Sequence, residues 1–287
     1  MRHSASWLLL SAVAMGGIAG CTDAPAASVV SDEDPLTSDN GLSSNGLSSN
    51  GLSSNGLSSN GLSSNGLSSN GLSSNGYVMS ALQDTSPTGD LTRLFFRYLI
   101  SCALPSGHSS TYTWTDMAGT LHTEINPGGL GLAPHWETGP ATQTDKELVS
   151  ACLGARTNAL GVHVPLSMRA KGLSALNVTS EERASYTYGE GAFWGNLFNG
   201  GSPYLYSCSR DAFNAGPSTS QYLQQGRTCT TSACGIITPV GPCYRSNSAT
   251  TGQACYEQNQ DWTADCSPSK NKATQGSQNV IATWLMP

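Results

Sequence analysis

The sequence predicts an α+β fold, in which two amino-terminal helices precede a mostly antiparallel β region stapled by disulfides. Two segments carry apolar residues at helical spacing, several later segments alternate apolar and polar residues, and eight cysteines lie in the same part of the chain. The 287 residues divide into a signal peptide (1–20), a low-complexity linker (21–80) and a single globular domain (81–287). The linker is expected to be disordered.

The first helix is predicted to begin at Asp90, a residue type that suits an N-cap. Apolar residues then recur at i, i+3, i+4, i+7, i+8 and i+11, namely Leu91, Leu94, Phe95, Tyr98, Leu99 and Cys102. Arg93 and Arg97 are expected on the opposite face. Pro105 and Gly107 mark the end of this helix.

The second helix is predicted to begin at a capping box, Thr144-Asp145-Lys146-Glu147. One side of this helix is apolar, and its members are Leu148, Ala151, Cys152, Ala155 and Ala159. Gly161 is expected to end it. A disulfide between the two helices is geometrically reasonable.

The remaining periodicity is that of strands. Tyr112 and Trp114 alternate with threonines, and the alternation resumes over residues 121–125 after a turn at Ala118-Gly119, which predicts a hairpin. Further short strands are predicted at residues 162–168, 186–188, 203–208 and 280–285.

The cysteines indicate an oxidising compartment. One of the nine, Cys21, follows the leader, and the other eight are Cys102, Cys152, Cys208, Cys229, Cys234, Cys243, Cys255 and Cys266. Four disulfides are therefore the expected arrangement. Cys102 and Cys152 lie apart from the crowded group that begins at Cys208, and we expect them to pair. The connectivity of the other six stays open.

No metal or cofactor is predicted. Cys229-x4-Cys234 and Cys243-x11-Cys255 do not supply the two close pairs that a structural zinc site needs. His122-x-Glu124 and His135-x-Glu137 form a repeated pattern that could supply ligands from one face of a strand, but exposed polar faces explain it as well.

The leader predicts export. Arg2 and His3 precede an apolar stretch over residues 7–14, which is the layout of a signal peptide. The sequence Ile18-Ala19-Gly20-Cys21 resembles the lipobox of bacterial lipoproteins, and this resemblance implies that Cys21 is acylated and becomes the first residue of the mature chain. Thr22, where inner-membrane retention signals place Asp, favours the outer membrane. The alternative is an ordinary signal peptide that leaves Cys21 as an odd thiol.

Residues 40–74 repeat Asn-Gly-Leu-Ser-Ser seven times without a substitution. Such a segment has little to bury in a core, and about 55 flexible residues reach roughly 40 Å on average. We therefore interpret it as a tether between the membrane anchor and the domain. A pentapeptide β-solenoid is the alternative, although the residues before each leucine fit that family poorly.

Composition restricts the partners. Charged residues make up 11% of the chain and the formal net charge is -6, so a basic surface for nucleic acid is not expected. No transmembrane segment follows the leader. The oligomeric state is not determined by the sequence.

Four segments, YLISCALP (98–105), GLGLAPHW (129–136), VSACL (149–153) and GAFWGNLF (191–198), resemble a group of uncharacterised bacterial lipoproteins. Members of this group carry Asn-Gly-Leu repeats ahead of such a domain, and their last strand is similar to residues 280–285. The resemblance implies a common fold and a place in the cell envelope, periplasmic or surface-exposed. It implies no activity.

The candidate ligand-binding residues surround a glycine-rich segment. Aromatic rings edged by carboxyl and amide groups suit a glycan or a peptide, and the residues with this character are Tyr188, Glu190, Phe193, Trp194 and Asn196. No catalytic residue is assigned. A tethered hydrolase is the alternative function, with His108 beside Ser109, or Glu190, as its best candidates.

Overall fold

The computed structural model describes residues 37–39, 42–43, 72, 80–158, 164–199, 202–210, 229–230, 234–244, 253–259, 261–268 and 277–287. All of them belong to one compact unit, Glu33–Pro287. The predicted leader with Cys21, most of the repeat, and the predicted helical positions Ala159 and Gly161 lie outside the described residues.

Helix α1 is Pro87–Ala103, and it begins earlier than the sequence predicted. Its N-cap is Ser86, whose own amide donates to Asp84 Oδ1 at 2.9 Å. Pro87 takes the first helical position, where its missing N–H leaves no bond unmade. The assignment of Asp90 as N-cap was therefore wrong, because Asp90 lies in the first turn and pairs with Arg93 at 2.5 Å.

The apolar stripe of α1 is confirmed, but one predicted polar position is wrong. Arg97 is exposed, whereas Arg93 is only 7% exposed. Arg93 is buried because its guanidinium carbon lies 3.7 Å from the centroid of Trp114 and because it donates to the carbonyl oxygens of Leu82 and Asp84. An arginine that stacks on an indole and bonds to carbonyls loses little by leaving water.

Helix α2 is Gln143–Ala155, and its capping box lies two residues before the predicted one. Thr142 is the N-cap: its hydroxyl accepts from the Asp145 amide, and Asp145 Oδ2 accepts from the Thr142 amide at 2.6 Å. The prediction that the capping box begins at Thr144 was wrong, because it did not consider a tertiary contact of Asp145. Asp145 is buried and also pairs with His135 Nε2 at 2.5 Å, which fixes this carboxylate at the third helical position.

The two helices are joined by the expected disulfide. Cys102 and Cys152 are bonded, with their Cα atoms 6.1 Å apart, and both side chains are fully buried. The prediction for this pair is confirmed. The other six cysteines form Cys208–Cys243, Cys229–Cys234 and Cys255–Cys266. Multiple disulfides indicate an extracytoplasmic protein.

The predicted hairpin is present as β3 (Ser109–Thr115) and β4 (Leu121–Pro127), which pair antiparallel. Its turn is held by Asp116, whose Oδ1 accepts from the amides of Ala118 and Thr120. Trp114 and His122 stack on one side of the hairpin at 4.5 Å between centroids. Leu121 and Ile125 are exposed on the other side.

The main sheet has six strands in the order β1-β6-β12-β7-β8-β9. These strands are β1 (Thr37–Asp39), β6 (Pro165–Arg169), β7 (Tyr188–Asn196), β8 (Tyr204–Ser209), β9 (Ile237–Pro242) and β12 (Ile281–Leu285). Every neighbouring pair is antiparallel except β8 with β9, which is parallel. The chain therefore has the predicted α+β architecture with mostly antiparallel sheets.

Two smaller pairs complete the strands: β2 (Leu42–Ser43) with β5 (Thr157–Asn158), and β10 (Cys255–Gln258) with β11 (Thr263–Cys266). Strands β1 and β2 both come from the segment predicted as a free linker. Strand β1 precedes the repeat and pairs with β6, whereas β2 lies in the first repeat unit and pairs with β5. Such pairing needs only backbone groups at a strand edge, so a polar segment can supply it.

The sheet has a buried cluster on each side. Phe193 and Ile281 belong to the cluster that contains the helices, whereas their neighbours Trp194 and Ala282 belong to the cluster that contains two of the disulfides, Cys208–Cys243 and Cys255–Cys266. This alternation is the two-residue period of a strand. In the described part of the chain, every helix is too short or too polar to cross a bilayer.

Candidate functional site

Two buried arginines stack on one tryptophan at the sheet face opposite the helices. The guanidinium carbons of Arg169 and Arg210 lie 4.4 Å and 4.5 Å from the centroid of Trp284. Both arginines are 1% exposed and Trp284 is 7% exposed. Buried cations of this kind are rare unless they serve a site or a network.

Strand periodicity brings Arg169 to this face. Leu166 and Met168 of β6 pack into the helix-side core, so Ser167 and Arg169 point the other way. Arg169 Nε donates to Ser167 Oγ at 2.8 Å and its Nη2 donates to the Tyr186 carbonyl at 2.9 Å. The guanidinium is therefore held in one position before any ligand arrives.

Arg210 follows β8 and is held by the β10–β11 hairpin. Its Nη2 donates to the Asn259 carbonyl at 2.7 Å and its Nη1 donates to Thr263 Oγ1 at 3.2 Å. The adjoining strand comes close as well, since a Cβ on Gly189 would lie 3.2 Å from Trp284 ring carbons. Glycine at this position lets the backbone approach the stack.

Burial lowers the pKa of both arginines to about 10. For Arg169 the nearby carboxylates of Glu182 and Asp261 oppose this effect, and for Arg210 the charge of Arg169 adds to it. Both pKa values remain well above neutral pH, so both groups keep their positive charge there.

A pocket of about 430 Å³ opens beside this stack. Arg169, Arg183, Asp261 and Trp262 are among the residues that line it. Asp261 bridges the two arginines: its Oδ2 accepts from Arg183 Nη2 at 2.7 Å and its Oδ1 lies 3.5 Å from Arg169 Nη1. The Lys171 ammonium lies 5.1 Å from the Trp262 ring and brings a further cation to the rim.

This arrangement suits a polar ligand that carries a negative charge. Arg183, whose side chain is 52% exposed, offers guanidinium donors at the surface of the pocket. Trp262 is half-buried and supplies an apolar edge. The volume falls in the range of small-ligand sites, roughly 300–1,000 Å³.

The residues predicted to bind a ligand all lie on or beside β7, but on both faces of the sheet. Phe193 is fully buried on the helix side of the sheet. Trp194 is 2% exposed on the other side, and its ring centroid lies 6.0 Å from that of Tyr206. Tyr188 is half-buried. Asn196 is also buried, and its Oδ1 accepts from the Phe198 amide. These four side chains do not converge on one described groove.

Glu190 is the predicted residue that bonds through its backbone to Arg210 of the arginine–tryptophan stack. It lies where the β7–β12 register shifts, between the partners of Thr283 and Trp284. Its carbonyl accepts from the Arg210 amide at 2.9 Å, and its side chain is buried. Glu190 therefore supports the position of Arg210 through the backbone.

The two His-x-Glu pairs do not form a shared ligand set. His122 pairs with Asp116, and His135 pairs with Asp145. Among the described residues, the one convergent group of potential ligand atoms is Cys208, Cys243 and Cys255, and all three are in disulfides.

Of the two contacts that link a catalytic triad, carboxylate to histidine and histidine to serine, His108 makes the first. His108 Nδ1 lies 2.8 Å from Glu137 Oε2, as in a base oriented by a carboxylate. Both His108 and the adjoining Ser109 are exposed, and no hydrogen bond joins their side chains within the described region.

Comparison with known proteins finds a relative for the repeat alone. A family profile described as GLTT repeat, in six copies, matches residues 39–63 and 56–78. No curated protein and no solved structure matches the chain. The amino-terminal part therefore contains GLTT-type repeats, and the disulfide-rich domain that follows is outside the match.

Sequence reasoning missed the pocket residues. Arg169 ends an apolar strand, and Asp261 with Trp262 lies within the loop closed by Cys255 and Cys266. The position of Arg169, at the end of an otherwise buried strand, could have marked it as a candidate site residue. Asp261 and Trp262 could not have been found in this way, because nothing in the local sequence says which strand their loop covers.

Proposed function

We propose that this protein is a lipid-anchored binding module of the cell envelope, whose pocket at Arg183, Asp261 and Trp262 takes an acidic glycan. The observation that carries the proposal is the pocket itself, where a surface guanidinium and a tryptophan flank a carboxylate held by two arginines. Carboxylate groups on sugars match guanidinium donors, and sugar rings pack on tryptophan.

The anchoring half of the proposal rests on Cys21. The leader and the Ile18-Ala19-Gly20-Cys21 sequence support acylation of this cysteine, and Thr22 supports delivery to the outer membrane. The four disulfides agree with an extracytoplasmic location. Stable attachment needs at least two lipid signals, which a multiply acylated cysteine provides.

Membrane fractionation tests the anchor. Cys21→Ser should move the protein from the membrane fraction to the soluble fraction, and mass spectrometry of the wild-type amino terminus should show acyl groups on Cys21. A variant that still sediments with membranes would contradict anchoring through this residue.

A compact ligand is favoured over a peptide added as an extra strand. One edge strand of the main sheet is β1, which is three residues long and so offers little backbone to an added strand. The other edge strand, β9, contains Pro239 and Pro242, which cannot donate to an added strand. The pocket is thus the better-supported place for recognition.

Binding is favoured over hydrolysis by the number of carboxyl groups in the pocket. Glycoside hydrolysis needs two carboxyl groups across one cleft. Asp261 is the one acidic residue among the described residues that line the pocket, and its two oxygens face Arg183 and Arg169. A tethered hydrolase acting on glycan or peptide stays the second hypothesis.

Paired saccharides test the ligand class. The full chain with Cys21→Ser is titrated with oligomers of a hexuronic acid and of the corresponding neutral hexose, and each mixture is checked by mass spectrometry for cleavage. We expect the acidic oligomer to bind, with its affinity falling about tenfold or more in Arg183→Gln, since a charge-assisted hydrogen bond contributes about 1.5–3 kcal/mol.

Arg97→Gln is the matched control. The Arg97 side chain is 56% exposed, close to the 52% of Arg183, and it also faces a carboxylate, Glu124 at 3.6 Å. Affinity for the acidic oligomer should be unchanged in this variant. Equal binding of the neutral oligomer, or an equal loss in both variants, would contradict the proposal, and cleavage products would favour the hydrolase.

A further inference from the structure

The leucine of the seventh repeat unit is part of the domain core. Leu72 is fully buried, and its amide donates to the Trp136 carbonyl at 2.8 Å. It belongs to the same buried cluster as Trp136 and Phe198. A segment that was predicted to be a free tether thus supplies a core residue.

The surface that receives Leu72 is built within the domain. Trp136 lies in the short 3₁₀ helix Pro134–Glu137 and is fully buried, with Phe198 edge-on to its ring at 5.0 Å. The Trp136 carbonyl is the acceptor for the incoming amide. The contact therefore combines an apolar site for one side chain with one backbone hydrogen bond.

The two groups described in this contact, a leucine side chain and its amide, are present in every unit. The seven units have the same sequence, so each presents a leucine with the same neighbours. The first unit also lies against the domain, where Leu42–Ser43 pairs in parallel with Thr157–Asn158. Within the described residues, the first and the seventh unit thus contact the domain at two different places.

We propose that the Leu72 site is a binding site for the Asn-Gly-Leu-Ser-Ser unit, and that any unit of the same chain can fill it. Exchange of one unit for the next moves the attachment point by five residues along the chain. The repeat would then act as an adjustable tether, whose free length between the domain and the anchor changes in steps of one unit.

Chain-length statistics allow this exchange. The effective concentration of a tethered ligand falls with about the −3/2 power of the connecting length. Replacing Leu72 by Leu67 lengthens the connection to Ser80 by one unit, which lowers the effective concentration by about twofold. Leu42 is the most distant of the seven, and its effective concentration is about tenfold lower than that of Leu72.

The occupant is a unit of the same chain rather than of a second copy. A short flexible connection gives an effective concentration in the millimolar range. A second copy would need to reach that concentration in solution before it competed. Occupancy is therefore independent of protein concentration.

A leucine-to-serine series tests the proposal in the full chain carrying Cys21→Ser. The probe is a labelled peptide of three Asn-Gly-Leu-Ser-Ser units, with a scrambled peptide as its control. We expect weak binding to the parent chain, to Leu72→Ser and to the control Leu57→Ser, because other units still fill the site. The variant with all seven leucines replaced should bind the peptide saturably.

Thermal unfolding gives a second measurement on the same variants. Leu72→Ser should unfold close to the parent chain, since the next unit reaches the site at an effective concentration only about twofold lower. The sevenfold variant should unfold at a clearly lower temperature, and a disulfide map by mass spectrometry checks that it has folded.

Three results would overturn the proposal. The first is Leu72→Ser behaving like the sevenfold variant in both measurements, which would make the site specific for Leu72. The second is a correctly folded sevenfold variant that binds the scrambled peptide and the repeat peptide with equal affinity, or that binds neither peptide. The third is an occupancy that depends on protein concentration, which would mean exchange between copies.

Discussion

The guanidinium carbon of Arg169 lies 4.4 Å from the centroid of the Trp284 ring, although both side chains are buried. A cation over an indole is attracted by the ring quadrupole, by about 2 kcal/mol or more where water is excluded. Arg210 lies on the same ring at 4.5 Å. Strand β12 thus supplies the ring that holds Arg169, which lines the pocket, together with its neighbour Arg210.

Removal of this ring should destabilise the fold strongly. Trp284→Ala is expected to lower the free energy of unfolding by about 3–5 kcal/mol, because it leaves a cavity and two buried cations without their ring. Trp284→Phe should lower the free energy of unfolding by less than Trp284→Leu does, since phenylalanine keeps an aromatic face. Denaturant unfolding without reductant measures all three. Equal losses for Phe and Leu would mean that the cation–ring contact contributes nothing.

The start of α2 offers a direct comparison between two threonines. Thr142→Ala should cost about 1 kcal/mol of unfolding free energy, because Thr142 supplies the N-cap of the helix. Thr144→Ala should change it by less than about 0.5 kcal/mol, because Thr144 is an exposed residue inside the first turn. A larger loss at Thr144 would favour the capping box that the sequence suggested.

The disulfides should differ in their contribution to stability. Replacing Cys102 and Cys152 by alanine opens a bridge across 50 residues, and the chain-entropy estimate of its loss is about 4 kcal/mol. The same change at Cys229 and Cys234, which are 5 residues apart, should cost about 2 kcal/mol. Unfolding of the two double variants against the parent gives the order. A reversed order would contradict the entropic account.

Acid sensitivity should include a contribution from Asp84. Its hydrogen bonds with Ser86 hold the pKa of Asp84 below the usual value of 3.8. A lowered pKa in the folded state adds stability above the usual value, and this stability is lost as the pH falls through the folded value. The parent should therefore exceed Asp84→Asn in stability at a pH above 3.8, and this advantage should shrink as the pH falls below 3.8. A difference that stays constant over this range would contradict it.

Local pattern predicted the elements that local chemistry decides. The apolar stripe of α1, the β3–β4 hairpin and the Cys102–Cys152 pair followed from spacing alone. Helix starts were less predictable, since Asp145 is fixed at its position by His135 from another element. The prediction that Arg93 lies on the exposed face was wrong for the same reason, because the indole of Trp114, distant in sequence, makes its burial favourable.

The site was harder to predict than the fold. The aromatic and polar residues of β7 drew attention because they lie together in sequence, but strand alternation places Phe193 and Trp194 in different clusters. The pocket joins residues from β6, helix α3 (Ser180–Ser185) and the loop before β11. Only the three-dimensional pairing of these elements brings Arg183 to Asp261.

The most direct test of the account is to determine where a hexuronic-acid oligosaccharide binds, by solving the structure of the full chain with this ligand at saturation. The account predicts a sugar carboxylate within hydrogen-bond distance of the Arg183 guanidinium, with a sugar ring against Trp262. A ligand bound instead at Tyr188 and Trp194, or an unoccupied pocket at saturation, would contradict it.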